Sequence, residues 1–267
     1  MTSTAPNRDE QLKRDIAELK ERLDSTRGFI EELKHSIYEY NRKNVQVVRR
    51  PKAGSSLCDL IMKVKEPVPL KIRQKAGMIA NEIRSCLDGL ASSLAVHNGA
   101  DTKHVFFPIA ETEANFHDRI KKLKYKISES HRNIIASLKP WKNENWLLWA
   151  MHEADINRKH VRLGACSSAT KRTTVGPIVM GGNDIRVGQL AIGDEIVGSN
   201  ISYASTGRTL DESGELLLMT NVSNDFKIKN KFSIVYSGLD VVNEKDVIDA
   251  LSDFVDESED ILVIFEP

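Results

Sequence analysis

Residues that could carry chemistry are concentrated in two short stretches of the chain. In the first stretch, Asn81, Arg84 and Asp88 follow one another at intervals of three and four residues, which places all three on one face of a helix. The surrounding positions are apolar, and a charged group near an apolar core is costly unless it is paired or used. An arginine in such a place can hold a phosphate bidentately.

The second stretch contains His152, Asp155, Lys159 and His160. His152 and Asp155 share one face of the predicted helix, and His160 lies on another. An imidazole can accept or release a proton near neutral pH, and a lysine binds phosphate as a point charge. Together with Arg84, these residue types suit the cleavage of RNA, in which a 2′-hydroxyl attacks the adjacent phosphate.

Two interpretations of these stretches remain open. In the first, they form an RNA site in which Arg84, His152 and His160 are catalytic. The residues expected to bind or orient the substrate are Asn81, Asp88, Asp155 and Lys159. In the second, the same side chains form a polar network that only orients the two helices against each other.

Other chemistry finds little support in the sequence. No two histidines are placed to form an HExxH zinc helix, and the GxxxxGK[ST], GxGxxG and GxSxG motifs are absent. We therefore expect neither a metal nor a cofactor. His97, His104, His117 and His131 are scattered along the chain, and we interpret each as a surface or capping residue.

Composition limits the class of protein. The 267 residues include 38 basic and 38 acidic ones, so the net charge neither favours nor excludes a nucleic acid. The densest basic stretch, residues 119–142, is either a solvated helix face or a patch for a polyanion such as RNA. Three widely spaced cysteines are typical of a reducing compartment. The polar N-terminus and the lack of long apolar runs predict a cytoplasmic protein with no membrane partner.

A long helix is predicted at the N-terminus, within residues 1–43 and beginning near Arg8. Its apolar residues repeat at intervals of four and three over coiled-coil length, with Thr26 as the one polar residue among them. The members of this apolar seam are Leu12, Ile16, Leu19, Leu23, Ile30, Leu33, Ile37 and Tyr40. The pattern leaves open whether the seam packs on the protein's own core, on a second copy in a homodimer, or on another protein partner.

The rest of the chain divides near Gly164. The elements predicted for residues 44–163 are a β-hairpin of 44–48 and 57–64, a helix at 70–98, one or two helices within 111–138, and a helix from 143 towards 160. Trp146 and Trp149 lie in the last of these helices, so we expect it at the centre of the helical core.

Residues 164–267 are rich in Gly, Ser and Thr and have only short apolar runs. This composition predicts a β-rich C-terminal part that ends in a helix from Glu244 to about Val255 and an apolar tail at 261–265. The fold class predicted for the whole chain is therefore α+β. A pocket for a small ligand between the tryptophan-bearing helix and the β-rich part is a third functional interpretation.

Several short motifs resemble those of an uncharacterised bacterial family. Residues 81–91, NEIRSCLDGLA, are similar to that family's helix HNLRSALDHLA, and residues 107–109 are its FPI element. Residues 148–155, LWAMHEAD, leading to Lys159 and His160, resemble its LWxLHELDNIDKHR element. The order and spacing of the motifs also match, and the resemblance runs from the hairpin to the C-terminus.

That family is in turn similar to the HEPN superfamily of helical bundles, many of which are dimeric ribonucleases of toxin, antiviral or stress systems. Their signature is an arginine, four to six further residues and then a histidine, with a polar residue after the arginine. Arg84 and Ser85 match its first part, but Gly89 occupies the first position for the histidine, and neither of the next two residues is histidine.

The resemblance implies a HEPN-like helical bundle that binds RNA and acts as a metal-independent ribonuclease of a bacterial defence or stress system. His152 or His160 would then supply the imidazole that the signature lacks. The superfamily also contains non-catalytic members, and fold analogy cannot choose between the two classes. The alternative is a protein-interaction module in which Arg84 and His160 belong to a structural network.

Overall fold

The computed structural model describes the chain in segments. Its backbone is described for residues 7–160, 166–175, 178–180, 185–187, 190–192, 215–223, 228–236 and 245–267. Side chains are described for residues 7–156, 234, 236 and 245–267. Helices and antiparallel sheets both occur in these segments, so the protein belongs to the α+β class.

The helices are α1 (Arg8–Asn44), α2 (Leu70–His97), α3 (Glu113–Lys122), α4 (Glu129–Ser137), α5 (Trp146–His160) and α6 (Val247–Ile264). The strands are β1 (Val45–Pro51), β2 (Leu57–Val64), β3 (Cys166–Val175), β4 (Ile178–Met180), β5 (Ile185–Val187), β6 (Leu190–Ile192), β7 (Glu215–Ser223) and β8 (Ile228–Tyr236). The predicted hairpin, the long first helix and the helix at 70–98 are thereby confirmed, and the region 111–138 contains two helices.

Helix α1 packs along the protein's own helical core. The Asn7 side chain caps it by accepting from the backbone N–H of Asp9, which satisfies one of the free donors of the first turn. Every member of the apolar seam is buried, and α1 contacts α2 and α6. Thr26 is buried as well, and its hydroxyl donates to the Arg22 carbonyl at 2.8 Å. The seam therefore packs within the chain, and the structure does not support the alternative in which it forms a homodimer contact.

Helix α2 lies at the centre of the helical packing, in contact with α1, α5 and α6. It starts after Pro69, and Gly99 follows its end at a φ of +79°, a left-handed conformation that glycine adopts without steric cost. At Gly89 the two longest helices approach closely, because a Cβ there would lie 2.7 Å from Cδ2 of Leu19. This glycine permits the close packing of α1 on α2.

Helix α6 continues further than the sequence predicted. The apolar residues 261–265, expected as a tail beyond a helix ending near Val255, extend α6 to Ile264 with Phe265 as its C-cap. The buried residues Leu251, Val255, Ser258 and Leu262 recur at intervals of four, three and four, so the run prolongs one helical face. That face packs on α1, α2 and α5, which explains why the tail is helical.

Helix α5 packs on α2 and α6, in agreement with the prediction that this helix belongs to the helical core, but its two tryptophans lie away from its buried side. Trp146 is 41% exposed and Trp149 is partly buried. The buried side of α5 is formed by Leu148, Met151 and Ala154. The Lys245 ammonium lies 3.4 Å from the Trp146 ring centroid, and this cation–π contact suits an indole at the surface.

Strands from distant parts of the sequence join the hairpin. β1 and β2 pair antiparallel, and β7 pairs with the other edge of β2, which gives the order β1-β2-β7. A second sheet has the order β6-β3-β8, and β4 pairs with β5. The predicted boundary at Gly164 lies outside the described residues.

Candidate functional site

A buried ion pair on α2 anchors the extended segment 105–109. Arg84 is 5% exposed, and its Nη1 donates to Oδ1 of Asp88 at 2.6 Å. Its Nη2 donates to the Phe107 carbonyl at 2.8 Å, and the Phe107 N–H donates to Oδ1 of Asp88 at 2.8 Å. Two side chains of one helix therefore satisfy both polar backbone groups of Phe107, and we call this arrangement the Phe107 clamp.

The clamp explains how a charge is tolerated in an apolar helix. A buried guanidinium loses several kcal/mol of hydration, roughly, unless a counter-ion and further acceptors replace the water. Asp88 supplies the counter-ion, and the Phe107 carbonyl supplies a second acceptor. The guanidinium of Arg84 thus already has two partners within the protein.

A pocket of about 420 Å³ opens beside the clamp. Its walls come from α2, α3, α5 and the segment that precedes α3. The residues that line it are Arg84, Asp88, His104, Phe106, Phe107, Pro108, Arg119, Lys122, Leu123, His152, Asp155 and Ile156. A pocket of this size is in the range of small-molecule and cofactor sites.

The pocket brings together the two stretches that the sequence singled out. Arg84 and Asp88 reach it from α2, and His152 and Asp155 reach it from α5. Asn81 lies on α2 away from the pocket wall, and its side-chain amide donates to Oγ of Ser85 at 3.4 Å.

Lys159 and His160 fall within α5, but their side chains lie outside the described residues. The roles predicted for these two residues therefore stay predictions.

Cationic and imidazole groups of the pocket were missed at the level of the sequence. Lys122 and Arg119 line it from α3, and Arg119 also donates to the Ile109 carbonyl. Their only signal was the basic stretch 119–142, whose polyanion interpretation did not single them out. His104, interpreted as a surface or capping residue, is indeed exposed, but it also lines the pocket and has a φ of +60°. This left-handed conformation is sparsely populated by residues other than glycine.

The position at which the HEPN signature would first place its histidine lies where helices α1 and α2 approach closely. Gly89 takes the first position at which the signature places the histidine. Its Cα faces α1, where an added Cβ would already lie 2.7 Å from Leu19. A histidine at this position would therefore have to push the Leu19 side chain aside.

Cys86, which lies on α2 between Arg84 and Asp88, is not a nucleophile of this site. Cys86 is fully buried, and its burial raises the pKa of the thiol to about 11. The reactive form of a cysteine is the thiolate, so Cys86 is inert near neutral pH.

Comparison of the chain with family models, curated proteins and solved structures finds no match. Among residues with described positions, no group of three His, Cys, Asp or Glu side chains is arranged to hold a metal ion. Within the same part of the chain, no helix has the length and apolar character needed to cross a membrane.

Proposed function

We propose that this chain is a HEPN-like RNA-binding protein that cleaves RNA at the pocket without a metal. The observation that carries the proposal is that two imidazoles, His104 and His152, and the cations of Lys122 and Arg119 line one pocket. Phosphate contacts from such cations supply most of the sequence-independent affinity for a nucleic acid. Imidazoles are the side chains best suited to proton transfer near neutral pH.

The roles follow from which groups face the pocket. Lys122 and Arg119 bind the scissile phosphate. The charge of Arg84 is already balanced by the Asp88 carboxylate, whereas Arg119 donates to the Ile109 carbonyl, which carries no charge to balance its own. Arg84 is accordingly a positioning residue that holds the pocket wall in place. His152 or His104 removes the proton from the 2′-hydroxyl.

The reaction then balances within one RNA strand. The 2′-oxygen attacks phosphorus, and the bond from phosphorus to the 5′-oxygen breaks. The second imidazole gives its proton to the departing 5′-oxygen. The products are a 2′,3′-cyclic phosphate and a 5′-hydroxyl. His160, on the same helix as His152, is the alternative source of the second imidazole.

A second candidate function is a non-catalytic interaction module. The observation in its favour is the Phe107 clamp itself, in which Arg84 is buried and bonded at both Nη atoms. In this reading the cluster fixes α2 to the segment 105–109. The pocket then has no chemical role.

RNA binding is tested with two neighbouring lysines of α3. Lys122 lines the pocket, whereas Lys121 does not. Lys122→Ala should weaken binding of a labelled RNA and lower the slope of log affinity against log salt by roughly one unit. Fluorescence anisotropy over a salt series measures both quantities. Lys121→Ala is the matched control, and an equal loss in the two variants would contradict binding at the pocket.

Cleavage is tested with two histidines in the presence of chelator. His152→Ala should reduce the rate of cleavage of a labelled single-stranded RNA about 100-fold or more, since a positioned acid or base contributes roughly that factor. His117→Ala removes an exposed imidazole of α3 that does not line the pocket, and this variant should cleave at the wild-type rate. Salt-dependent binding without any cleavage by the wild type would leave an RNA-binding protein that is not a ribonuclease, whereas neither binding nor cleavage would favour the interaction module.

A further inference from the structure

Phe106 points out of the core although both of its neighbours point in. Its side chain is 61% exposed, whereas Val105 and Phe107 are 4% and 1% exposed. Successive side chains of an extended segment alternate between its two sides. The burial of Val105 and Phe107 therefore directs the ring of Phe106 to the outer side, where it lines the pocket.

The ring is held there by a fixed backbone. The Phe107 clamp bonds the N–H and the carbonyl of the next residue to Asp88 and Arg84. On the other side, the Val105 N–H donates to the Thr102 carbonyl at 3.2 Å. An aromatic ring on an anchored backbone loses little conformational entropy when a ligand packs on it.

The surroundings of the ring indicate what would pack on it. Lys122 and Arg119 line the same pocket as Phe106, so an anion bound to them shares the pocket with an aromatic ring. His104, two residues before Phe106, has a left-handed backbone, and such unfavourable conformations cluster at functional sites. A ligand with a phosphate and a flat aromatic group next to it fits both features, and a nucleotide unit has that composition.

We infer that Phe106 is a stacking platform for an unpaired nucleobase, and that the pocket takes single-stranded RNA in preference to duplex RNA. This inference rests on the proposed RNA-binding function and narrows its substrate class. The phosphate of one nucleotide binds Lys122 and Arg119, and the adjoining base leaves its neighbours in the strand and stacks on the Phe106 ring. Bases within a duplex are already stacked and paired, so they cannot use the platform without opening.

The test compares the two forms of one RNA. The probe is a fluorescein-labelled strand of mixed sequence with 2′-O-methyl groups, which removes the attacking hydroxyl and so prevents cleavage. It is titrated alone and as a blunt duplex with the full-length wild type, Phe106→Ala and Phe106→Trp. Tyr38→Ala is the matched control, since Tyr38 is 62% exposed and lies on α1 outside the pocket.

The wild type is expected to bind the single strand more tightly than the duplex. Phe106→Ala should weaken single-strand binding about 10-fold or more and leave duplex binding unchanged. Phe106→Trp should keep single-strand affinity, and its added indole fluorescence should be quenched when a base stacks on it. Tyr38→Ala should bind both probes as the wild type does.

Three results would overturn the inference, and only one of them would also overturn the proposed function. Wild-type affinity of Phe106→Ala for the single strand, with salt-dependent binding intact, removes the stacking platform but not the proposed function. An equal loss for single strand and duplex removes the strand preference. The absence of RNA binding by the wild type removes the proposed function and the inference together.

Discussion

The carboxylate of Asp88 connects helix α2 to the segment 105–109, and both of them line the pocket. One of its oxygens accepts from both Arg84 and the Phe107 N–H. Arg84 is buried, whereas the Asp88 side chain is 30% exposed. Solvent therefore reaches the Asp88 side chain far more than that of Arg84, and Asp88 supplies the charge that Arg84 needs inside the protein.

Removal of the Asp88 carboxylate should destabilise the protein markedly. Asp88→Ala leaves a buried cation without its counter-ion and the Phe107 N–H without its acceptor, so we expect a loss of about 2 kcal/mol in the free energy of unfolding. Asp88→Asn keeps an oxygen acceptor and should cost about half as much, roughly 1 kcal/mol. Urea unfolding followed by circular dichroism measures both. Equal stability of Asp88→Ala and the wild type would show that the clamp contributes nothing.

At the residue scale, the sequence predicted the site residues that lie on α2 and α5, but it did not single out Arg119 and Lys122 on α3. Arg84, Asp88, His152 and Asp155 stand out because charged groups at helical spacing interrupt apolar faces, and the structure places all four at one pocket. His104 gave no such signal, because its position depends on the path of an irregular segment with a left-handed residue. Periodicity contains no information about that path.

At the scale of elements, two glycines occupy helices in opposite environments. Gly28 lies in α1, and a Cβ added there would meet no atom within 4 Å. Gly89 lies in α2 against Leu19, a buried residue of the apolar seam. The same substitution therefore probes helix propensity at one site and packing between two helices at the other.

Replacement of these glycines by alanine should change stability in opposite directions. Gly28→Ala should raise the free energy of unfolding by about 0.5–1 kcal/mol, because glycine in a helix loses more backbone entropy than alanine. Gly89→Ala gains the same propensity but must push the buried Leu19 aside, so we expect a net loss of about 1 kcal/mol or more. Chemical unfolding of the two variants beside the wild type measures both changes. A stabilised Gly89→Ala would mean that α1 and α2 tolerate wider spacing.

Whole elements were predicted well where one periodic face is buried. The seam of α1 identified the helix, but its partner could not be predicted, because a covered and an exposed seam have the same sequence pattern. The apolar run at the end of α6 looked like a separate tail because five consecutive apolar residues conceal a helical period. The pairing of β7 with β2 depends on contacts between distant segments, and no local pattern encodes it.

At the scale of the whole molecule, four helix ends meet around His131. This residue of α4 lies with its ring centroid 5.4 Å from that of His97, the last residue of α2, and 6.0 Å from that of Phe265 at the end of α6. His97 in turn contacts Asp9 in the first turn of α1 at 2.8 Å. Burial, and secondarily the proximity of His97, lowers the pKa of His131 below its ordinary value.

The lowered pKa makes stability depend on pH in a definite direction. An unfolded chain takes up the proton on His131 near pH 6.5, roughly, whereas the folded protein takes it up only at lower pH. Between these two pH values the unfolded state binds more protons than the folded state. The contribution of His131 to stability is therefore full above about pH 6.5 and is lost as the pH falls from there through the folded pKa. His131→Gln should lose less stability than the wild type between neutral and mildly acidic pH. Thermal unfolding over a pH series tests this, and an unchanged pH profile in the variant would exclude His131 as the group responsible.

The position of α6 in the packing also matters during synthesis. The ribosome releases α1 and α2 long before α6, although α6 covers both. At usual elongation rates the interval is on the order of ten seconds. Throughout that time the nascent chain carries an incomplete apolar surface, the kind of surface that chaperones bind and from which aggregation begins. We therefore expect correct folding of this protein to require that its earliest helices stay apart from other chains until the last helix has been synthesised.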